Sequence, residues 1–135
     1  MTAIQPTPDQ IQAFLKADMS EPICMVNLLK FKDKATYEED APEYGKGLTG
    51  QEAYQLYGIG VFQVLTTIGA KPIYSAPANR FMIGEGDWDA VALAWYPSRK
   101  VFLEMPQRED YQAIHYHREA GLAHQDLIET TPEVL

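Results

Sequence analysis

An α+β fold is predicted by three features of the sequence. Six segments follow one short leading helix in the order strand, helix, strand, strand, helix, strand, which is the split βαβ order of ferredoxin-like folds. The first and third strands are apolar along most of their length, as strands inside a sheet must be. The second carries Pro72 and Pro77, which donate no ladder hydrogen bonds and so place it at an edge. An antiparallel four-stranded sheet with helices on one face leaves the other face to be covered. A second copy of the chain is the simplest cover, so a homodimer is expected.

Thr7-Pro8-Asp9-Gln10 reads as a helix start, with Thr7 as cap and Gln10 completing a capping box. Ile11, Phe14 and Leu15 form its apolar face, and the helix is expected over residues 7–20. Pro22 to Lys32 reads as the first strand, with Met25, Asn27, Leu29 and Phe31 on one face and Cys24, Val26, Leu28, Lys30 and Lys32 on the other. Asp33 to Gly50 is acidic and broken by Pro42, Gly45 and Gly47, which marks a long loop. Thr49 with Glu52 starts a second helix that runs to about Ile68 and stops at Gly69. Lys71–Gly84 and Trp88–Tyr96 read as a hairpin. Ser98 caps a short helix to about Met105. After Pro106, Tyr111, Ile114, Arg118 and Leu122 form one helical stripe, and Leu127–Val134 is a weak last strand.

Composition bounds the function. The 135 residues fit one domain, and 46% hydrophobic against 22% charged residues is the balance of a globular chain. Eleven basic and nineteen acidic side chains leave a net charge of -8, which opposes binding to nucleic acid or to an anionic membrane surface. Met1 to Asp9 lacks the pattern of a secretory signal, and no apolar run is long enough to span a bilayer. With Cys24 alone there is no internal disulfide, so a cytoplasmic setting is expected, and its apolar surroundings assign Cys24 no chemistry.

Trp88 to Arg99, followed by Phe102, Met105, Tyr111 and Arg118-Glu-Ala-Gly-Leu122, resembles the domain-of-unknown-function family 1330. Met25-Val-Asn-Leu-Leu-Lys-Phe-Lys32 and Gly50-Gln-Glu-Ala-Tyr54 with Tyr57 look like that family's opening strand and helix. The resemblance covers about residues 24–127 and implies a single domain of the dimeric α+β barrel superfamily. It implies no particular reaction. The leading helix and the acidic stretch between Asp33 and Gly50 depart from a minimal member of the family.

The best candidate ligand site is a cationic and polar set made of Asn27, Lys30, Ser98, Arg99 and Arg118. Ser98 and Arg99 stand where a strand yields to a helix N-terminus, and Arg118 lies on an inward stripe where its guanidinium could grip a carboxylate with two hydrogen bonds. The plainer reading is that Ser98 only caps its helix and that Arg118 pairs with Glu119, Asp110 or a backbone carbonyl. Tyr54 and Tyr57 share a helix face and could orient a substrate or act as acids, or simply form an aromatic core stripe. His115 could serve as a general base if it reaches the pocket. His115 and His117 are two apart in a helix and point to different sides, so no metal is expected, and no cofactor motif is present. These observations favour a homodimer that binds a small organic anion or carbonyl compound, as a cofactor-independent enzyme or as a binding protein. The alternative is a non-catalytic, stress-associated or protein-interaction dimer.

Overall fold

A computed structural model describes residues 3–133. The elements are α1 (Pro8–Leu15), β1 (Ile23–Phe31), α2 (Gly50–Thr67), β2 (Lys71–Pro77), β3 (Ala90–Tyr96), α3 (Arg99–Glu104), a 3-10 turn (Met105–Gln107), α4 (Glu109–Gln112), α5 (His115–Gly121) and β4 (Leu122–Thr130). The sheet runs in the order β2-β3-β1-β4, and every neighbouring pair is antiparallel. This is the ferredoxin-like arrangement, with the apolar β1 and β3 inside and the proline-bearing β2 at an edge.

Both expected capping boxes form. Thr7 Oγ1 accepts from the Gln10 amide at 3.2 Å while the Gln10 side chain accepts from Thr7 N–H at 2.9 Å. Thr49 and Glu52 exchange the same pair of bonds at 3.0 Å each. Each box satisfies two N–H groups that a helix start otherwise leaves unpaired. Gly69, at φ 80°, ends α2 in the left-handed conformation that glycine adopts most readily.

Several boundaries differ from the sequence reading. α1 stops at Leu15 rather than near residue 20, because Asp18 accepts from the backbone and side chain of Ser20 and holds a turn there. β2 ends at Pro77 rather than Gly84, and β3 begins at Ala90 rather than Trp88, so residues 78–89 form a long connection. The expected helix from Tyr111 to Leu122 is broken at Ala113 and Ile114 into α4 and α5, and Leu122 already belongs to β4. β4 therefore covers Leu122–Thr130 rather than Leu127–Val134, and Val134 lies outside the described residues. A helix and a strand that meet without a turn leave no local stop signal, and periodicity alone does not divide them.

The core lies between the sheet and the helices, where Ile23, Met25, Tyr57, Val64, Leu65, Tyr96, Met105 and Tyr111 pack together. The other sheet face carries Cys24, Val26, Leu28, Val91, Leu93 and Trp95, all only partly buried. The start of α2 crosses the end of α5 with glycine on both sides. A Cβ on Gly50 would stand 2.1 Å from the Lys32 carbonyl oxygen, and one on Gly121 would stand 2.5 Å from that of Gly50. The contact brings three backbones together: Lys32 N–H donates to Gly121 O at 2.8 Å and Gly50 N–H to Lys32 O at 3.0 Å. Gly60 has a similar role, closing on Ile114, whereas Gly58 faces open space. Gly50→Ala should lower the unfolding free energy by about 2 kcal/mol or more, and Gly58→Ala should raise it by up to about 1 kcal/mol, both read from urea denaturation.

Candidate functional site

The five residues singled out as a cationic and polar set do not converge. Ser98 caps α3, its Oγ accepting from Val101 N–H at 3.1 Å. Arg99 is buried at the same end of the molecule and fully engaged. Its guanidinium donates to Glu21 at 2.6 Å, to Glu129 and to the Asp18 carbonyl at 2.9 Å, tying α3 to the turn after α1 and to β4. Lys30 binds Asp87 at 3.0 Å and Asp89 at 3.3 Å. Asp89 also accepts from Phe31 N–H at 2.9 Å, so this group fastens the entry to β3 onto the end of β1. In each case carboxylates already answer the charge, and a paired cation offers a ligand little.

Asn27 and Arg118 do come together, through a residue the sequence reading passed over. Gln125 Nε2 donates to Asn27 Oδ1 at 2.7 Å, and Gln125 Oε1 accepts from Arg118 Nη2. The same Nη2 donates to the Ile4 carbonyl, so of the plainer partners considered for Arg118 a backbone carbonyl is the kind present. Asn27 Nδ2 donates in turn to the Ala92 carbonyl at 3.2 Å, anchoring the chain of contacts in the sheet. Among the described residues no carboxylate lies within ion-pair distance of Arg118. Arg99, Arg108 and Lys30 all have one. Arg118 is half-buried. A guanidinium held partly out of water by neutral oxygens alone retains its attraction for an anion.

Two tyrosines of α2, Tyr54 and Tyr57, lie near enough for the Arg118 charge to act on their hydroxyls. Tyr54 and Tyr57 lie on α2 with ring centroids 5.3 Å apart, and the Tyr57 hydroxyl meets that of Tyr111 at 3.0 Å. Burial raises the Tyr54 hydroxyl to about 12, with Arg118 near enough to oppose the shift. Burial likewise pushes Tyr57 and Tyr96 well up, and neighbouring tyrosines add to both shifts. The hydroxyls therefore stay neutral near pH 7 and can donate hydrogen bonds to an oxyanion. Tyr96, Tyr111 and Gln125 were not singled out as site residues in the sequence. Each sits in an ordinary core or strand position, and only the fold links Gln125 to Arg118 and Tyr111 to Tyr57, while Tyr96 packs on Phe102.

His115 and His117 face different partners, as their helical spacing requires. His115 Nδ1 lies 3.0 Å from Glu119, and its ring packs on Tyr111 with centroids 5.4 Å apart. His117 is buried, and its Nδ1 shares a hydrogen bond of 2.7 Å with the Tyr37 hydroxyl. Tyr116 donates to Glu43 at 3.1 Å. These contacts clamp the acidic 33–49 loop onto α5, joined by Thr36 N–H donating to Ala120 O at 2.9 Å. Two surface hollows, of about 350 and 420 Å³, lie beside Met105 and under Tyr37 and Tyr44, and neither borders Arg118. Among the described residues no group of three or more His, Cys, Asp or Glu side chains could hold a metal ion. No helix of the described residues is long and apolar enough to cross a membrane.

No family model and no curated protein matches the chain. Among solved structures it is similar over its whole length to RPA0582, a protein of unknown function from Rhodopseudomonas palustris. The identity is 30%, the TM-score 0.85, and the match covers 100% of both chains. The chain belongs to the RPA0582 family. Two more distant structures share the fold. One is a dimeric protein of unknown function with a ferredoxin-like fold from Bacteroides fragilis, 8% identical with a TM-score of 0.53, matched over 82% of this chain and 96% of that one. The other is a dabb family protein with a ferredoxin-like fold from Mesorhizobium loti, 10% identical with a TM-score of 0.52, matched over 84% and 98%. At these identities the likeness concerns the fold alone, so the site of this RPA0582-family chain rests on its own residues.

Burial lowers the His117 pKa below its ordinary value of 6.5, because the charged imidazolium is poorly solvated there. Burial lowers His115 in the same direction. A depressed folded-state pKa means that the unfolded chain binds the proton more readily. The stability is thus fully present above about pH 6.5 and declines as the pH falls through the folded-state values. The melting temperature should drop as the pH is lowered below about 6.5, with a shallower slope in His117→Phe. A parallel slope in the variant would remove His117 from this account.

Proposed function

We propose that this protein is a homodimeric small-molecule-binding protein of the dimeric α+β barrel type, and that its site holds a small organic anion on Arg118. The single observation that carries the reading is the charge state of that arginine. In a chain of net charge -8, Arg118 is half-buried against neutral oxygens, while Arg99, Arg108 and Lys30 are each matched by carboxylates. Gln125, itself fixed by Asn27, holds the guanidinium from the sheet side, and the hydroxyls of Tyr54 and of the Tyr57–Tyr111 pair supply neutral donors from the core. A carboxylate, or the enolate of a carbonyl compound, is the ligand that such donors favour. Tyr54, kept protonated by burial, can donate a hydrogen bond to an oxyanion beside Arg118. Of the earlier set, Asn27 and Arg118 stay in this site, and Lys30, Ser98 and Arg99 are assigned to structure.

Dimerisation is supported by the partly exposed apolar face of the sheet and by the dimeric protein of the same fold. Membership of the domain-of-unknown-function family 1330 is supported by the residues that resemble it and by the ferredoxin-like neighbours. A single domain spanning residues 1–135 and a cytoplasmic location complete the reading.

Thermal melts with acetate, malonate and benzoate test the site, because a ligand that binds only the folded state raises the melting temperature. At least one acid should stabilise the wild type, Arg118→Ala should abolish the effect, and Arg99→Ala should lower ligand-free stability while leaving the response intact. No shift with any acid, or an equal shift in Arg118→Ala, rules the anion site out. For the dimer, sedimentation at micromolar concentration should give twice the chain mass, and a monomer would contradict the assignment.

A further inference from the structure

The N-terminal segment lies directly against the proposed anion site. The Ala3 N–H donates to His124 Nδ1 at 2.8 Å, the Gln125 N–H donates to the Ala3 carbonyl at 2.7 Å, and the Ile4 carbonyl accepts from Arg118 Nη2. The segment thus pairs with the outer edge of β4 and puts a peptide oxygen on the arginine. His124 is held ready for this contact, since its ring stacks on Trp88 at 5.0 Å and 18° and its Nε2 lies 3.6 Å from Asp126.

The chemistry of the guanidinium gives this arrangement a consequence. A carboxylate binds an arginine with two parallel hydrogen bonds, either side-on through Nε and Nη2 or end-on through Nη1 and Nη2. Nη2 is common to both forks. Its two N–H groups already serve the Ile4 carbonyl and Gln125 Oε1, whereas Nε and Nη1 have no hydrogen-bond partner among the described residues. Neither two-point face is open while both contacts stand. Gln125 is anchored to Asn27 and through it to the sheet, so the removable contact is that of Ile4.

We propose that residues 3–5 form a strap that occupies the anion site in the free protein, and that a carboxylate ligand binds by displacing the Ile4 carbonyl from Arg118. The proposal rests on the reading of Arg118 as the anion site. The strap answers the cation with a peptide oxygen until a charged oxygen replaces it. Its hold is weak enough to yield, because the carbonyl it gives up regains a hydrogen bond from water. Affinity for the ligand is then set partly by the fraction of molecules in which the strap is already released.

The test uses phenylglyoxal, which modifies accessible guanidinium groups, with mass spectrometry reading each arginine separately. Arg80 is exposed and serves as the internal reference. Two variants release the strap without touching Arg118. One lacks residues 1–5, and the other is His124→Phe, which keeps an aromatic ring against Trp88 but removes the acceptor for Ala3 N–H. Circular dichroism and melting curves establish that each is folded, and if the shortened chain does not fold, His124→Phe decides alone. Arg118 should react at least about fivefold faster in the variants than in the wild type, the factor that loss of about one net hydrogen bond supplies, with Arg80 unchanged. Benzoate or malonate should slow the reaction at Arg118, and at lower concentration in the variants. Equal labelling of Arg118 in wild type and variants overturns the strap. Faster labelling that no acid slows keeps the strap and instead overturns the anion reading on which it was built.

Discussion

The guanidinium of Arg118 stands between α5 and β4 with only neutral oxygens as hydrogen-bond partners among the described residues, and its surroundings follow from the need to hold a cation there. Taking a charge partly out of water is costly unless dipoles or counter-charges replace the solvent. Here the replacement is a file of amides. Gln125 presents its oxygen to the arginine and its nitrogen to Asn27, and Asn27 presents its nitrogen to the β3 backbone. That order fixes each amide group and explains two polar side chains on the face of the sheet that packs against the helices. It also depends on the register of β1 with β4, which sets Asn27 opposite Leu127 and Gln125 opposite Leu29, so that both side chains emerge on the same face.

Two other cations, Arg99 and Lys30, show what a purely structural charge looks like in this protein. Arg99 lies deeper than Arg118 and is enclosed by two carboxylates and a carbonyl from the turn after α1 and from β4. Lys30 is shared by two aspartates that also order the start of β3. Both are fasteners whose charge is spent on the fold. The 33–49 loop is fastened as well, by a part-buried tyrosine-histidine pair and a tyrosine-glutamate contact. The proposed strap lies elsewhere, where Ala3 bonds His124 and Gln125 of β4 and Ile4 bonds Arg118 of α5.

Much of the architecture was legible in the sequence, for reasons that particular residues make plain. Thr7 with Gln10 and Thr49 with Glu52 mark helix starts by a local reciprocal bond, and Pro72 and Pro77 mark an edge because proline lacks the donor an inner strand needs. Boundaries without local chemistry were not legible. Leu122 passes from α5 into β4 with no turn residue between them, and Tyr111 to Leu122 keeps helical spacing across a break at Ile114. The site followed the same rule. Arg118 could be picked out as a cation on an inward stripe, but whether its partner is an acid or an amide depends on Gln125 and Ile4, and the latter is 114 residues away along the chain. Sequence separation of that kind carries no local signal, which is why Arg99 and Lys30 looked equally promising until their carboxylates were seen.

On the proposed reading, Arg118 is kept without a carboxylate partner in order to receive one. A crystal structure of the protein grown with the most stabilising organic acid addresses it directly. The carboxylate should lie on Arg118 through Nη2 and a second guanidinium nitrogen, within reach of the tyrosine hydroxyls, with the Ile4 carbonyl moved away. An acid bound elsewhere, with Arg118 still donating to Ile4 and Gln125, would contradict it.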